Sequence, residues 1–171
     1  MKQLFFVLMM ALSINVMAQT AKCKNAIVML SSAGNGSVTT TGINNGSTNY
    51  ATLSLSQSTF NCSNVGVNVI TLTATATNGN TSTCTSTVTI KDLVKPTAKC
   101  KNATVIIQSD STLNYQVVDN GSVDACGILE YTLSPNQFSC VNGSTNVTLT
   151  VKDVNGNIAY CTSTVTIVCS N

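Results

Sequence analysis

The chain has 171 residues, of which 43% are apolar, 8% charged and 5% aromatic, with a formal net charge of +2. Globular chains average about 25% charged residues, so Ser, Thr and Asn, 65 of the 171 residues, must supply most of the polar surface. The sequence contains no Arg, His or Trp; this argues against a nucleic-acid ligand, which is gripped by Lys and Arg clusters, and removes the commonest general base and metal ligand.

The first element in chain order reads as a secretory signal peptide over Met1–Ala18. Lys2 supplies the positive start, Leu4–Leu12 the apolar run, and Val16-Met17-Ala18 the compact residues of a cleavage site. A membrane anchor needs about 20 apolar residues, and Asn15 and Gln19 end this run too soon. Lys22, directly before Cys23, does not suit a lipoprotein signal. The mature chain is therefore expected to begin at Gln19, to be exported, and to carry no membrane span. In an oxidising compartment, eight cysteines imply disulfides. Structural zinc is disfavoured, because the chain lacks His and any C-x-x-C pair.

The remaining sequence is one unit written twice. Ala21-Lys-Cys-Lys-Asn-Ala26 recurs as Ala98–Ala103, and Cys84-Thr-Ser-Thr-Val-Thr-Ile90 as Cys161–Ile167, both at a shift of 77. Asn78-Gly-Asn80 matches Asn155-Gly-Asn157 at the same shift, and Phe60-x-Cys62 matches Phe138-x-Cys140 at 78. Identical segments at one spacing mark a tandem repeat, which divides the chain into 1–18, 19–93 and 94–171.

Both copies read as β-structure. Ile70, Leu72, Ala74 and Ala76 alternate with Thr71, Thr73, Thr75 and Thr77; Val147, Leu149 and Val151 alternate with Thr148, Thr150 and Lys152. Cys84, Ser86, Val88 and Ile90 face away from Thr85, Thr87 and Thr89. Such period-two patterns predict half-buried strands, and Asn-Gly pairs at 35, 45, 78, 120, 142 and 155 predict tight turns between them. The expected fold is all-β, two tandem antiparallel sandwiches with Phe60 and Phe138 anchoring their cores. Each is small enough for disulfides to matter to its stability.

The opening Ala-Lys-Cys-Lys-Asn, Asp124-x-Cys126-Gly127, Phe138-x-Cys140, Asp153-x-Asn-Gly-Asn157 and the closing Cys-x-x-x-Val-x-Ile together resemble hyalin-repeat (HYR) domains. The resemblance covers the mature chain. It implies immunoglobulin-like modules of extracellular adhesion proteins, including bacterial surface adhesins, and an adhesive or spacer role. The second unit fits the pattern better. The first has Asn49-Tyr50-Ala51 where the second has Asp124-Ala125-Cys126, and Ala76 in place of Asp153.

In such a sandwich the opening and closing strands start as parallel neighbours at one pole, which pairs Cys23 with Cys84 and Cys100 with Cys161. The resemblance implies Cys126 with Cys140, while Cys169 competes for Cys140 because both should lie near the far pole. Cys62 and Cys169 are then left over. They stand either for an intermolecular Cys62–Cys169 link in a head-to-tail assembly, or for a different internal pairing or a truncated array.

Asp119, Asp124 and the Asp153–Asn157 turn should share the leading pole of the second unit, so Asp119, Asp124, Asp153, Asn155 and Asn157 form a candidate calcium set. Asp and Asn also cap turns through their own backbone. The Thr rows, with Thr71, Thr73, Thr75 and Thr77 beside Thr85, Thr87 and Thr89, raise ice binding as a remote alternative, which Lys152 in the second unit opposes. Cross-strand Thr pairs also stabilise exposed sheets without any ligand. Lys22, Lys24, Lys99 and Lys101 could hold an acidic polymer or guard an exposed edge strand. Catalysis is not expected: Glu130 is the only Glu, no Ser lies in G-x-S-x-G, and no His could activate one. The sequence thus points to a secreted or cell-surface adhesion or structural module. Its alternative is a filament or matrix subunit joined by sheet edges or the leftover cysteines. Expected partners are other extracellular proteins, glycans or copies of itself, and no cofactor is expected beyond the candidate calcium.

Overall fold

The computed structural model describes residues 18–170. The expected signal peptide lies outside the described residues except for Ala18. In the first unit the strands are β1 (Ala26–Met29), β2 (Asn35–Ser37), β3 (Thr52–Leu55), β4 (Thr59–Asn61), β5 (Gly66–Thr75) and β6 (Thr81–Lys91), with one α-helical turn, α1 (Thr40–Ile43), and a 3₁₀ turn, Cys62–Asn64. The second unit repeats them as β7 (Ala103–Ile107), β8 (Ser111–Thr112), β9 (Ile128–Ser134), β10 (Gln137–Phe138), β11 (Gly143–Asp153) and β12 (Ile158–Cys169). Each unit sets a four-stranded sheet, β1-β6-β5-β3 or β7-β12-β11-β9, against a two-stranded ribbon, β2-β4 or β8-β10. The result is two tandem immunoglobulin-like β-sandwiches. Their sheets are mixed, because the first strand of each unit joins the last in parallel.

The alternation read from the sequence determines which side of each sheet is buried. Ile70, Leu72 and Ala74 of β5, with Val88 and Ile90 of β6, turn inward against Val28, Leu30, Val38, Ile43 and Phe60. The second core is assembled in the same way from Val147, Leu149, Val151, Val165 and Ile167 with Ile107, Val118, Leu133 and Phe138. The buried residues of each core come from one unit, as a sandwich closed around its own apolar layer requires, and Cys126 of the second unit packs against the first core. Two buried serines tie the first strand to the last. Ser86 donates to Lys24 O at 2.8 Å and Ser163 to Lys101 O at 2.6 Å, so neither hydroxyl is desolvated without a partner.

The turn between β5 and β6 sets the register. Ala76 N–H donates to Asn80 O, and Gly79 sits at φ +85°, a conformation that strongly favours glycine. The resulting antiparallel register pairs Thr71 with Thr85, Thr73 with Thr83 and Thr75 with Thr81. It also corrects the expected Thr rows. Thr87 and Thr89 face Val69 and Val67, while Thr77 falls in the turn. In the second unit Thr150 faces Tyr160 and Lys152 faces Ile158. The hydroxyl field therefore runs over three Thr pairs in the first unit and gives way to Val69 and Val67, and in the second it is interrupted by Tyr160 and Lys152, because a hairpin counts strand positions from its turn rather than from matching residue types.

Leu72 and Leu149 occupy the same place in the two cores and are fully buried. Leu72→Ala and Leu149→Ala are each expected to destabilise their own sandwich by about 2–5 kcal/mol, read as a lowered denaturant midpoint. A loss below about 1 kcal/mol at either site would show that the core is not closed there.

Candidate functional site at the junction of the two units

The leading pole of each sandwich is built on one hydrogen-bond frame. In the second unit Lys99 N–H donates to Ser122 Oγ and Lys101 N–H to Val118 O; in the first, Lys22 N–H donates to Ser47 Oγ and Lys24 N–H to Ile43 O. Asp119 belongs to this frame. Its Oδ1 accepts Ser122 N–H at 3.1 Å and Ser122 Oγ–H at 2.6 Å, and Asn44 accepts Ser47 N–H in the equivalent place. The resemblance of Asp119 to a ligand is thus matched by a local task that an amide performs in the first unit.

Asp153 is fully buried and holds its own turn together. Its Oδ1 accepts Asn155 N–H and Asn157 N–H at 2.9 and 2.8 Å, and its Oδ2 accepts the Asn157 side-chain amide at 2.7 Å. That turn then reaches the end of the first unit. Asn155 Nδ2 donates to Asp92 Oδ2 at 2.8 Å, and Asn157 Nδ2 to Asp92 O at 3.4 Å. Asp92, only 6% exposed, also accepts Val94 N–H through Oδ1. Asp124 caps its own loop through Cys126 N–H at 2.8 Å. The carboxylates of Asp92 and Asp124 and the Cys126 sulfur lie within 4.8 Å of one another. Of the five residues in the candidate calcium set, Asp124 therefore approaches a second carboxylate, and that partner is Asp92.

The cysteines pair as Cys23–Cys84, Cys62–Cys126, Cys100–Cys161 and Cys140–Cys169, with no free cysteine. The first and third bonds join the opening strand to the closing strand of one sandwich. The other two correct the expected map. Cys126 bonds to Cys62, not Cys140, and neither Cys62 nor Cys169 is left over for an intermolecular link.

The physical reason is position. Cys62 starts a 3₁₀ turn after β4, at the trailing pole of the first sandwich, and Cys126 lies in the leading loop of the second, with their Cα atoms 5.1 Å apart. Cys169 pairs in register with Ile107, and Cys140 Sγ lies 3.3 Å from Ile107 O, which brings these two together at the opposite pole. A pairing of Cys126 with Cys140 would have to span the length of the sandwich, beyond the roughly 7 Å that a disulfide tolerates between Cα atoms.

One signal in the sequence bears on this pairing. Cys62 and Cys140 are repeat equivalents, and the residue equivalent to Cys169 in the first unit is Asp92. Cys62 therefore has no partner within its own unit and bonds forward, to a cysteine whose equivalent in the first unit is Ala51. Gly34 completes the contact. It sits at φ +73°, and a Cβ there would lie 2.7 Å from Cys62 Sγ and 3.3 Å from Ala125 Cβ, so the Ser31–Asn35 turn can approach the second unit only without a side chain.

The four loops overlap in series. Cys62 lies inside 23–84, Cys100 inside 62–126, and Cys140 inside 100–161, so every peptide bond from Cys23 to Cys169 is enclosed by at least one disulfide. The connecting segment between Cys84 and Cys100 is enclosed by Cys62–Cys126 alone. Loops of this size each restrict the unfolded chain by about 4 kcal/mol in the entropic picture; because these overlap, the terms do not simply add.

No known protein family matches this sequence, and no curated protein does. Among solved structures the chain is similar to human mucin-like protocadherin EC1-2, at 12% identity and a TM-score of 0.43, covering 90% of this chain and 99% of that one. It is similar to the fibronectin(III)-like modules of Clostridium thermocellum CbhA at 13% identity and a TM-score of 0.34, covering 89% and 95%. It also matches extracellular cadherin domains 1-4 of protocadherin gamma B7 at 10% identity and a TM-score of 0.37, covering 90% of this chain and 51% of that one. These three TM-scores are all below 0.5, and the fold rests on the strand pairing and the two cores. Among the described residues, no helix is long and apolar enough to cross a membrane.

Lys91 and Lys99 are exposed within the connecting segment. Oxidised protein cut there by trypsin is expected to run as one species until a reductant is added. The double variant Cys62→Ala, Cys126→Ala should separate into its two sandwiches without reductant. Separation of the unaltered protein on a non-reducing gel would show that the bond between the units is wrong.

Proposed function

We propose that this chain is an exported, non-enzymatic adhesion or cell-surface structural module, with 19–93 and 94–171 as its two domains. The observation that carries the reading is the unbroken series of disulfide loops from Cys23 to Cys169. Disulfides persist in oxidising, extracytoplasmic surroundings. A chain so linked stays in one covalent piece after any single cut within those loops, which suits a protein exposed to proteases and to pulling forces. The non-enzymatic reading is supported by the lack of His and by the place of Glu130, which faces Lys152 across the β9–β11 ladder instead of a second carboxylate. Cells lacking the chain are expected to grow normally but attach less to surfaces, and the labelled protein should lie outside the cell. Unchanged attachment together with an internal location would overturn the proposal.

The filament alternative keeps the route through sheet edges: β1 and β3 in the first unit and β7 and β9 in the second each have a partner on one side only within their four-stranded sheets. The route through leftover cysteines is closed, since the first unit has Ala51 in the accepting position and the second bonds Cys140 internally. Electron microscopy of the purified mature chain is expected to show dispersed particles; fibres would favour edge assembly.

A divalent cation between Asp92 and Asp124 belongs to the same reading. Calcium favours several oxygen ligands around one point, and two carboxylates brought together at a junction gain from a cation that offsets their repulsion. Calcium is expected to raise the melting temperature of the unaltered protein relative to a chelator, and to do so much less in Asp124→Asn. Identical melting curves with and without calcium would dispose of the cation.

A further inference from the structure

The second sandwich carries a pair of tyrosines that the first lacks. Tyr115 and Tyr131 stack with ring centroids 4.3 Å apart and planes at 4°. Tyr115 opens the turn that follows β8, and Tyr131 lies on β9, opposite Val151 of β11. In the first unit the equivalent positions hold Thr40, which starts α1, and Leu53 on β3, opposite Ala74. Ile43, the last residue of α1, and Val118, just after the Tyr115 turn, are both buried and accept from Lys24 N–H and Lys101 N–H in the same way. The fold therefore forms without the aromatic pair.

Both rings line a cleft of about 350 Å³ in the side of the second unit. Its polar lining comes from Thr112, Asn114, Thr132 and Asn136, with Leu113 and Leu133 beneath, and none of these residues is charged. Asn114 Oδ1 accepts Gln116 N–H, so the amide nitrogen is the part of that side chain still able to donate. Asn136 accepts Leu113 N–H through its backbone carbonyl, and the residue itself is exposed. Burial and the nearby Asp119 push the Tyr131 phenol up from its usual pKa, and its hydroxyl donates to Ser122 O at 3.4 Å, which leaves its oxygen able to accept. Thr112 also lines an adjoining trough of about 480 Å³ with Gln137 and Ser139, which lengthens the surface beyond a single ring-sized ligand.

We propose that this cleft is a binding site for a neutral oligosaccharide. Sugar rings present apolar C–H faces and a rim of hydroxyls. Aromatic rings match the first, since they offer broad apolar surface at low entropic cost; amide and hydroxyl groups match the second as both donors and acceptors. The uncharged lining offers nothing to phosphate or carboxylate, and Asp110 in the adjoining trough disfavours anionic glycans. The cleft volume lies within the range of small-molecule sites. Glycan binding here would add to the structural role, which the linked sandwiches fill without it.

The test is calorimetric titration of the oxidised, full mature chain with cellohexaose, laminarihexaose and maltohexaose, and with a hexamer of galacturonate as the anionic control. The variant is Tyr115→Thr with Tyr131→Leu, the residues with which the first unit builds the same place. The unaltered protein is expected to bind at least one neutral hexamer, and the variant to bind it at least about tenfold more weakly while its melting temperature is retained. Failure of all three neutral sugars to bind, equal binding by the variant, or preference for galacturonate would each overturn the site. None of these outcomes would alter the expected attachment phenotype or the disulfide map, so the two proposals fail separately. If the double variant melts early, Tyr115→Thr alone supplies the comparison, because Thr40 shows that this position needs no ring.

Discussion

The bond between Cys62 and Cys126 is the constraint around which the junction is organised. It ties the trailing pole of one sandwich to the leading loop of the next, across a segment that no other disulfide encloses. Gly34 is without a side chain because its turn rests against this bond. Asp92 and Asp124 are brought together beside it, and the Asp153–Asn157 turn closes over Asp92 through two side-chain amides. A surface so poor in charge has few ion pairs with which to fix the relation between units. Here the covalent bond serves that purpose together with two side-chain amide hydrogen bonds to Asp92, one to its carboxylate and one to its backbone carbonyl.

Tandem duplication lets each unit serve as a control for the other. Equivalent positions do the same work wherever the fold demands it: Ser86 and Ser163 close the parallel strand pair, and Asn44 and Asp119 hold the same loop. They diverge where the two units face different neighbours. Position 92 is Asp and 169 is Cys, which turns an internal bond into a forward one. Ala76 becomes Asp153 where a turn must be stiff enough to dock, and Thr40 and Leu53 become a tyrosine stack where a cleft opens. Differences between repeats are thus better guides to function in this chain than the motifs both repeats share.

Much of the architecture was legible because it is local. Period-two alternation places Ile70, Leu72 and Ala74 inside whatever they pack against, and the shared heptapeptide announces two copies of one strand. The candidate calcium set was legible only in part. Asp124 could be assigned to the leading pole, whereas the inward turn of Asp153 depends on amides two and four residues later, and Asp92 enters only because a second sandwich is folded against it. The Thr rows were legible in part for a related reason: composition identifies outward positions and Thr71 does lie beside Thr85, while the hairpin turn decides the other facing pairs and leaves Thr87 and Thr89 opposite valines.

By itself the sequence determined that this chain forms two similar β-sandwiches with outward Thr-rich faces. Strand periodicity and internal repetition are properties of neighbouring residues and of exact copies, and neither needs a partner in space to be read. Only the tertiary structure decided which cysteines meet, which carboxylates share a junction, and which tyrosines stack. Those outcomes depend on distances between residues far apart in the chain, where a choice such as Cys126 with Cys62 or with Cys140 turns on which pole each loop occupies. The low charge therefore specified a surface, and the fold specified where on that surface chemistry can gather.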